Sequence, residues 1–224
     1  MVADRPNARL PALRVGTRTI DVRARALIVF PLVLATRSDL SRLAGAAERA
    51  VADGADILEL SSPSVGLIRE SMAKVGARVN VPFAVVAGDA HAINALSASQ
   101  AGIVVAHEVG DNLTTQALIA AAKRGKTVIV TQRSVAQELA DRGVDRGAIV
   151  LDAAYPGAID ECAGMGVHVL WSATGGAEGG RADQLATATW AIWSGVRLLR
   201  TDDVVGAARV RRTLEWILAD GLDS

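Results

Sequence analysis

The sequence predicts an α/β fold, a (β/α)8 barrel of the TIM type with short βα loops, and three observations carry that prediction. Eight apolar runs follow one another: Ala26–Ala35, Asp56–Leu60, Val81–Ala87, Ile103–Ala106, Thr127–Val130, Ile149–Leu151, Val167–Trp171 and Val196–Leu199. Helical patterns of roughly a dozen residues separate them, the alternation expected of parallel βα units. The 224 residues hold eight such units with nothing left over, and barrels of this kind run as single domains of about 200 residues and up. Each run ends in one or two polar residues, and that end of the strand is where a barrel places its functional groups.

Element by element, residues 1–25 read as an N-terminal arm and residues 26–224 as the barrel. Arg18–Val22 is expected to form a short strand plugging the barrel bottom. In the first barrel strand, Leu27–Ala35, Pro31 lacks a ladder donor and predicts a bulge. Ser38 or Asp39 caps the next helix, with apolar spacing Leu40, Leu43, Ala47, Val51 and a stop at Gly54. Strand Ile57–Leu60 leads through Ser61-Ser62-Pro63-Ser64 into a helix near Val65–Val75. Strand Val81–Ala87 delivers Gly88-Asp89 to helix Ala90–Ser99. Strand Ile103–Ala106 delivers His107, Glu108 and Asp111 to helix Thr114–Lys123. Strand Thr127–Val130 delivers Thr131, Gln132 and Arg133 to helix Val135–Asp141. Strand Ile149–Leu151 delivers Asp152, with a stunted helix at Ala158–Cys162. Strand His168–Trp171 opens the loop Ser172 to Gly180 before helix Ala182–Trp193. Strand Arg197–Leu199 delivers Arg200, Asp202 and Asp203, and helix Ala207–Leu218 seals the ring.

Composition excludes several function classes. Formal net charge is zero, so there is no basic field for nucleic acid or an acidic membrane. The longest apolar run contains Pro31 and falls far short of the ~18 residues of a spanning helix. The arm carries Arg5, Arg9, Arg14, Arg18, Arg23 and Arg25, as a transit peptide does, but arginine outnumbers lysine throughout the chain. A single cysteine, Cys162, forbids an internal disulfide and fits a reducing cytoplasm. Its helical setting reads as a buried small apolar residue, not a nucleophile.

The strand ends supply Asp89, His107, Glu108, Asp111, Gln132, Asp152, Thr174, Arg200, Asp202 and Asp203. Converging carboxylates and amides suit a polar heterocycle, because carboxylates accept from ring N–H and amino groups. The competing role for each is to cap the following helix. Arg200 offers a planar fork for phosphate, or else an ion pair with Asp202, Asp203 or Asp56. The glycine-rich stretch Ser172–Gly180 is either a phosphate cradle or a loop, and Glu178 within it would repel an anion. His91, His107 and His168 lack metal-ligand spacing, and His168 reads as structural. Trp190, Trp193 and Trp216 have helical spacing suited to packing against neighbouring helices or a second subunit.

Four motifs in order carry a family resemblance: Ala52-Asp-Gly-Ala-Asp-Ile-Leu-Glu-Leu60, Phe83-Ala-Val-Val-Ala-Gly-Asp89, Ile149-Val-Leu-Asp152 and Leu199-Arg-Thr-Asp-Asp-Val204. Over roughly residues 25–218 the chain resembles the dihydropteroate synthase, or pterin-binding, barrel family. That family joins a pterin pyrophosphate to p-aminobenzoate with magnesium assistance. The resemblance implies that Asp89 and Asp152 hold the pterin ring, that Glu108 lies near it with His107 in place of an asparagine, and that Arg200 belongs to a phosphate clamp in which Asp202 replaces a histidine. It departs where the family has Asn-x-Thr-Pro-Asp, here Val33-Leu-Ala-Thr-Arg37, so the asparagine that helps bind metal is absent. The loop after the second strand is cut to Ser61-Ser62-Pro63-Ser64, and Thr174 replaces a lysine.

The expectation is therefore a divergent, shortened dihydropteroate-synthase-like protein that binds a pterin or similar heterocycle in folate-related metabolism, without ordinary synthase turnover. If active, it is a transferase of that type; no cofactor is assigned, magnesium being open but short of its usual ligand. The alternative is a non-catalytic homologue serving as a binding or partner subunit. A homodimer is expected, with a full-length homologue as the other candidate partner.

Overall fold

Strands buried on both faces must be apolar on both faces, and that is why the runs are continuous rather than alternating. The computed structural model describes residues 11–15, 18–20, 25–153, 158–173 and 180–220. Its eight barrel strands are β3 (Leu27–Val33), β4 (Ile57–Ser61), β5 (Phe83–Val86), β6 (Ile103–Ala106), β7 (Thr127–Val130), β8 (Ile149–Ala153), β9 (His168–Ser172) and β10 (Leu198–Arg200). All pair in parallel, and β10 closes the ring onto β3 through Leu198↔Leu27 and Arg200↔Val29. The helices α1 (Leu40–Asp53), α2 (Val65–Gly76), α3 (Ala90–Ser97), α4 (Asn112–Lys123), α5 (Arg133–Asp141), α6 (Ala158–Met165), α7 (Arg181–Trp193) and α8 (Val204–Asp220) alternate with them. The fold is the (β/α)8 barrel that the sequence predicts.

Two apolar layers result. Leu27, Val29, Ile57, Ala84, Ile103, Val105, Ile129, Val150, Leu170 and Leu198 fill the barrel interior. The residues between them, such as Ile28, Leu58, Val85, Val104, Val128 and Leu151, pack outward under the helices. Successive strand side chains face opposite ways, so one strand feeds both layers. In α1, Leu40, Leu43, Ala44, Ala47 and Ala50 make the buried stripe, and Gly54 ends the helix at φ +114°, where a side chain would be strained.

The floor of the barrel comes from the arm. Leu13–Val15 (β1) pairs antiparallel with Arg18–Ile20 (β2) in the register Leu13↔Ile20. Leu13 and Val15 join the interior cluster, and Ile20 packs against it. The sequence predicts only the second of these strands. A Cβ on Gly147 would stand 2.7 Å from the Ala12 carbonyl oxygen, so glycine there lets the chain pass close beneath the barrel. Asp56 anchors the same end, accepting from the Ile28 N–H at 2.9 Å and from Arg25 and Arg211.

One local expectation is corrected. Pro31 does not produce a bulge: β3 and β4 pair one-to-one from Val29↔Ile57 through Pro31↔Glu59 to Val33↔Ser61. On its other side, the pairing with β10 stops at Val29↔Arg200, two residues before the proline. The missing N–H falls beyond the end of that ladder, and the strand has no need to kink. Among the described residues, no helix is long and apolar enough to cross a membrane.

Candidate functional site

The interior columns are apolar at their lower positions apart from Thr127 and His168. On four strands the next inward position, two residues on, is polar: Ile57 gives way to Glu59, Val150 to Asp152, Leu170 to Ser172 and Leu198 to Arg200. These four side chains meet at the C-terminal end of the barrel. Arg200 donates from Nη2 to Glu59 Oε2 at 2.7 Å and from Nε to the same oxygen at 3.2 Å. Its Nη1 donates to Asp152 Oδ2 at 2.5 Å and to Ser172 Oγ at 2.9 Å. All three guanidinium nitrogens are thus engaged. Burial works against the arginine's charge, but Glu59 and Asp152 outweigh it and raise its pKa. Two carboxylates around one guanidinium leave this cluster with an excess negative charge.

The structure brings together Asp152 and Arg200 of the residues singled out in the sequence and adds Glu59 and Ser172. It corrects the expected ion-pair partners of Arg200, which are Glu59 and Asp152 rather than Asp202, Asp203 or Asp56. Asp203 instead pairs with Arg181 at 2.8 Å and caps α8 through the Gly206 N–H at 3.0 Å. Against partial burial, these contacts hold its carboxyl below the usual range.

Asp89, His107, Glu108 and Asp202 stand outside the hydrogen-bonded cluster, and all four are exposed. Asp89 caps α3, accepting from the Ala92 N–H at 2.7 Å. Asp111 caps α4, accepting from the Thr114 N–H at 2.6 Å, which lowers its pKa. The His107 carbonyl accepts from the Thr131 hydroxyl at 2.6 Å. Thr174, Glu178 and most of the Ser172–Gly180 loop lie outside the described residues. Glu59 was missed because it sits within an apolar run rather than after it. The signal for it was available: a charged residue two positions beyond Ile57, at the same inward parity.

Elsewhere, Cys162 is buried, and its thiol is pushed up to about 11 by that burial and by Glu161. At pH 7 it is a thiol, and the structural reading of it holds. His168 lies in the lowest interior layer, where burial pushes its pKa down to about 4 against the raising effects of the Pro11 backbone and Asp145.

No family model matches the sequence, and no curated protein matches it. Solved structures do. The chain superposes on a dihydropteroate synthase of Xanthomonas albilineans in complex with indole-2-carboxylic acid and 6-chloroguanine, with a TM-score of 0.78 at 14% identity, covering 94% of this chain and 99% of that one. It matches a Yersinia pestis dihydropteroate synthase with a pterine–sulfa conjugate at 0.78 and 14%, covering 93% and 100%. It matches a Burkholderia cenocepacia dihydropteroate synthase complexed with 7,8-dihydropteroate at 0.76 and 16%, covering 96% and 99%. At such identities the likeness is one of fold, and over most of its length this chain has the fold of the dihydropteroate synthases.

Proposed function

We propose that the barrel mouth binds a pterin or a similar donor-rich heterocycle, as a divergent dihydropteroate-synthase-like protein of folate-related metabolism. The observation that carries this reading is the convergence of Glu59, Asp152 and Arg200 at the end of the barrel where functional groups lie. Carboxylates accept from the ring N–H and amino groups of such a heterocycle. The ligand class is supported by neighbours of the same fold solved with 6-chloroguanine and 7,8-dihydropteroate. A reducing cytoplasm belongs to the same proposal, supported by the single cysteine, a buried thiol.

The chain is proposed not to carry out ordinary synthase turnover. Val33, at the position of the family's metal-binding asparagine, is an exposed aliphatic residue at the end of β3. Among the described residues, no three His, Cys, Asp or Glu side chains come together as a metal-ligand set. No described residue is assigned to magnesium. If a reaction is catalysed, it is a group transfer to or from the bound heterocycle.

A second reading, a binding or partner subunit without catalysis, is favoured by the outer wall. Trp193 and Trp216 are 60% and 67% exposed on α7 and α8, two helices that pack together. We assign this face to a second copy of the chain, with a full-length homologue as the alternative partner. Calorimetric titration with 7,8-dihydropterin tests the main reading. Binding that vanishes in Asp152→Ala is expected; a folded wild-type chain with no affinity for any pterin at about 1 mM removes it.

A further inference from the structure

Anions reach a barrel mouth by two routes, a free guanidinium and the bare N-terminus of a helix. In this chain its own carboxylates take the guanidiniums at this face and several of the helix starts. The guanidiniums at the strand ends and helix starts of this face are paired: Arg37 with Glu70 at 2.9 Å, Arg133 with Glu161 at 3.0 Å, Arg181 with Asp203 at 2.8 Å, and Arg200 with Glu59 at 2.7 Å and Asp152 at 2.5 Å. Acids also cover four of the helix starts, while α2 is capped by the Ser64 hydroxyl and α5 starts at Gln132 without a side-chain cap. Asp89 sits on the Ala92 N–H of α3, Asp111 on the Thr114 N–H of α4 and Asp203 on the Gly206 N–H of α8. At α7, Asp183 reaches back to the Gly180 N–H at 3.2 Å. Two further acids of the rim, Glu108 and Asp202, are exposed and have no partner among the described residues.

Acceptors, by contrast, are in surplus. Arg200 engages only Oε2 of Glu59 and Oδ2 of Asp152. Glu59 Oε1 and Asp152 Oδ1 receive nothing from the described residues. The chain as a whole carries no net charge, so the negative balance at this end is local.

We infer that this mouth takes an uncharged or cationic, donor-rich heterocycle and excludes ligands bearing phosphate or pyrophosphate. The inference rests on the heterocycle reading above and narrows it. A pyrophosphate entering here either displaces Glu59 or Asp152 from Arg200 or lies beside uncompensated carboxylates. Both outcomes weaken its binding through like-charge repulsion in a partly desolvated site. The leaving group of the synthase reaction would then be disfavoured by electrostatics, not merely by lost contacts.

Titration of the wild-type chain at fixed ionic strength tests this with three probes: inorganic pyrophosphate, 6-hydroxymethyl-7,8-dihydropterin and the pyrophosphate of that pterin. The expected result is no heat from pyrophosphate at about 1 mM, and binding of the hydroxymethyl form at least about tenfold tighter than of its pyrophosphate. Tighter binding of the pyrophosphate form, or saturable binding of pyrophosphate itself, overturns the exclusion while leaving a pterin site intact. If no pterin binds, the heterocycle reading falls, and the exclusion is then judged on pyrophosphate alone. In Glu59→Gln, one edge of Arg200 loses its counter-charge and pyrophosphate binding is expected to rise about tenfold. A folded variant with no gain removes Glu59 as a cause of the exclusion.

Discussion

Arg200 Nη2 stands 2.7 Å from Glu59 Oε2, although the two residues are 141 positions apart and neither strand is paired with the other. β3 lies between β4 and β10, and its inward residue at Arg200's level is Val29, too short to reach across. The contact exists because a closed barrel aims every inward side chain at one axis.

The first prediction concerns that pair. Arg200→Met leaves the buried Glu59 and the part-buried Asp152 facing each other's charge with no counter-ion. A loss of about 3–5 kcal/mol at pH 7 is expected, read from urea unfolding midpoints. Adding Glu59→Gln and Asp152→Asn to the same chain removes the stranded charges and is expected to restore much of the loss. A triple variant no more stable than Arg200→Met would show that packing, not charge, sets the cost.

His168 provides a pH signature. Its folded pKa of about 4 lies below the ordinary histidine value of 6.5, so the fold holds the neutral ring and its contribution is fully present above the unfolded pKa. As pH falls through 6.5 toward 4 the unfolded state takes up the proton first, and about 3 kcal/mol is lost. His168→Leu should remove that part of the acid sensitivity. Between pH 7 and 4.5 the stability difference between the two chains, read from thermal melts, should shift in the variant's favour as the pH drops; parallel curves would contradict the assignment.

Gly206 separates helix propensity from packing. In an open helix, glycine to alanine gains about 1 kcal/mol. Here an added Cβ would clash with Asp203 Oδ2 and meet Leu185 Cδ2 at 2.5 Å. Gly206→Ala must displace both the Asp203 cap and the Leu185 side chain. A loss of about 1–3 kcal/mol is expected in denaturant melts, and a stabilised variant would show that the cap yields freely.

The tryptophan face predicts an assembly state. Trp190 is held by an edge-on contact with Trp171, ring centroids 5.2 Å apart, while Trp193 and Trp216 remain outward. Sedimentation should give a dimer for the wild type and a monomer for Trp193→Lys/Trp216→Lys, with unchanged far-UV circular dichroism. A wild-type monomer at about 100 μM would end the homodimer assignment.

Much of the barrel was readable from spacing alone. The runs at Ile103–Ala106 and Thr127–Val130 match β6 and β7 residue for residue, because strands packed on both faces are mostly apolar. Asp152 and Arg200 were also readable, since each ends its run. Glu59 was hidden by Leu58 and Leu60 on either side, which made it look like an anomaly within a strand. β1 was hidden because Leu13 and Val15 form only three residues of strand with Arg14 and face a cavity that the other strands create.

The sequence by itself determined the layer order, the eight units and the end of the barrel that carries polar groups. These follow from periodicity and turn chemistry, which are local. Only the tertiary structure decided which charges meet. Whether Asp89, Asp111, Asp152 and Asp203 cap helices or face the cavity depends on side-chain direction at the ring's rim. Whether Arg200 is free or spent depends on Glu59, whose approach is fixed by ring closure and not by any neighbour along the chain.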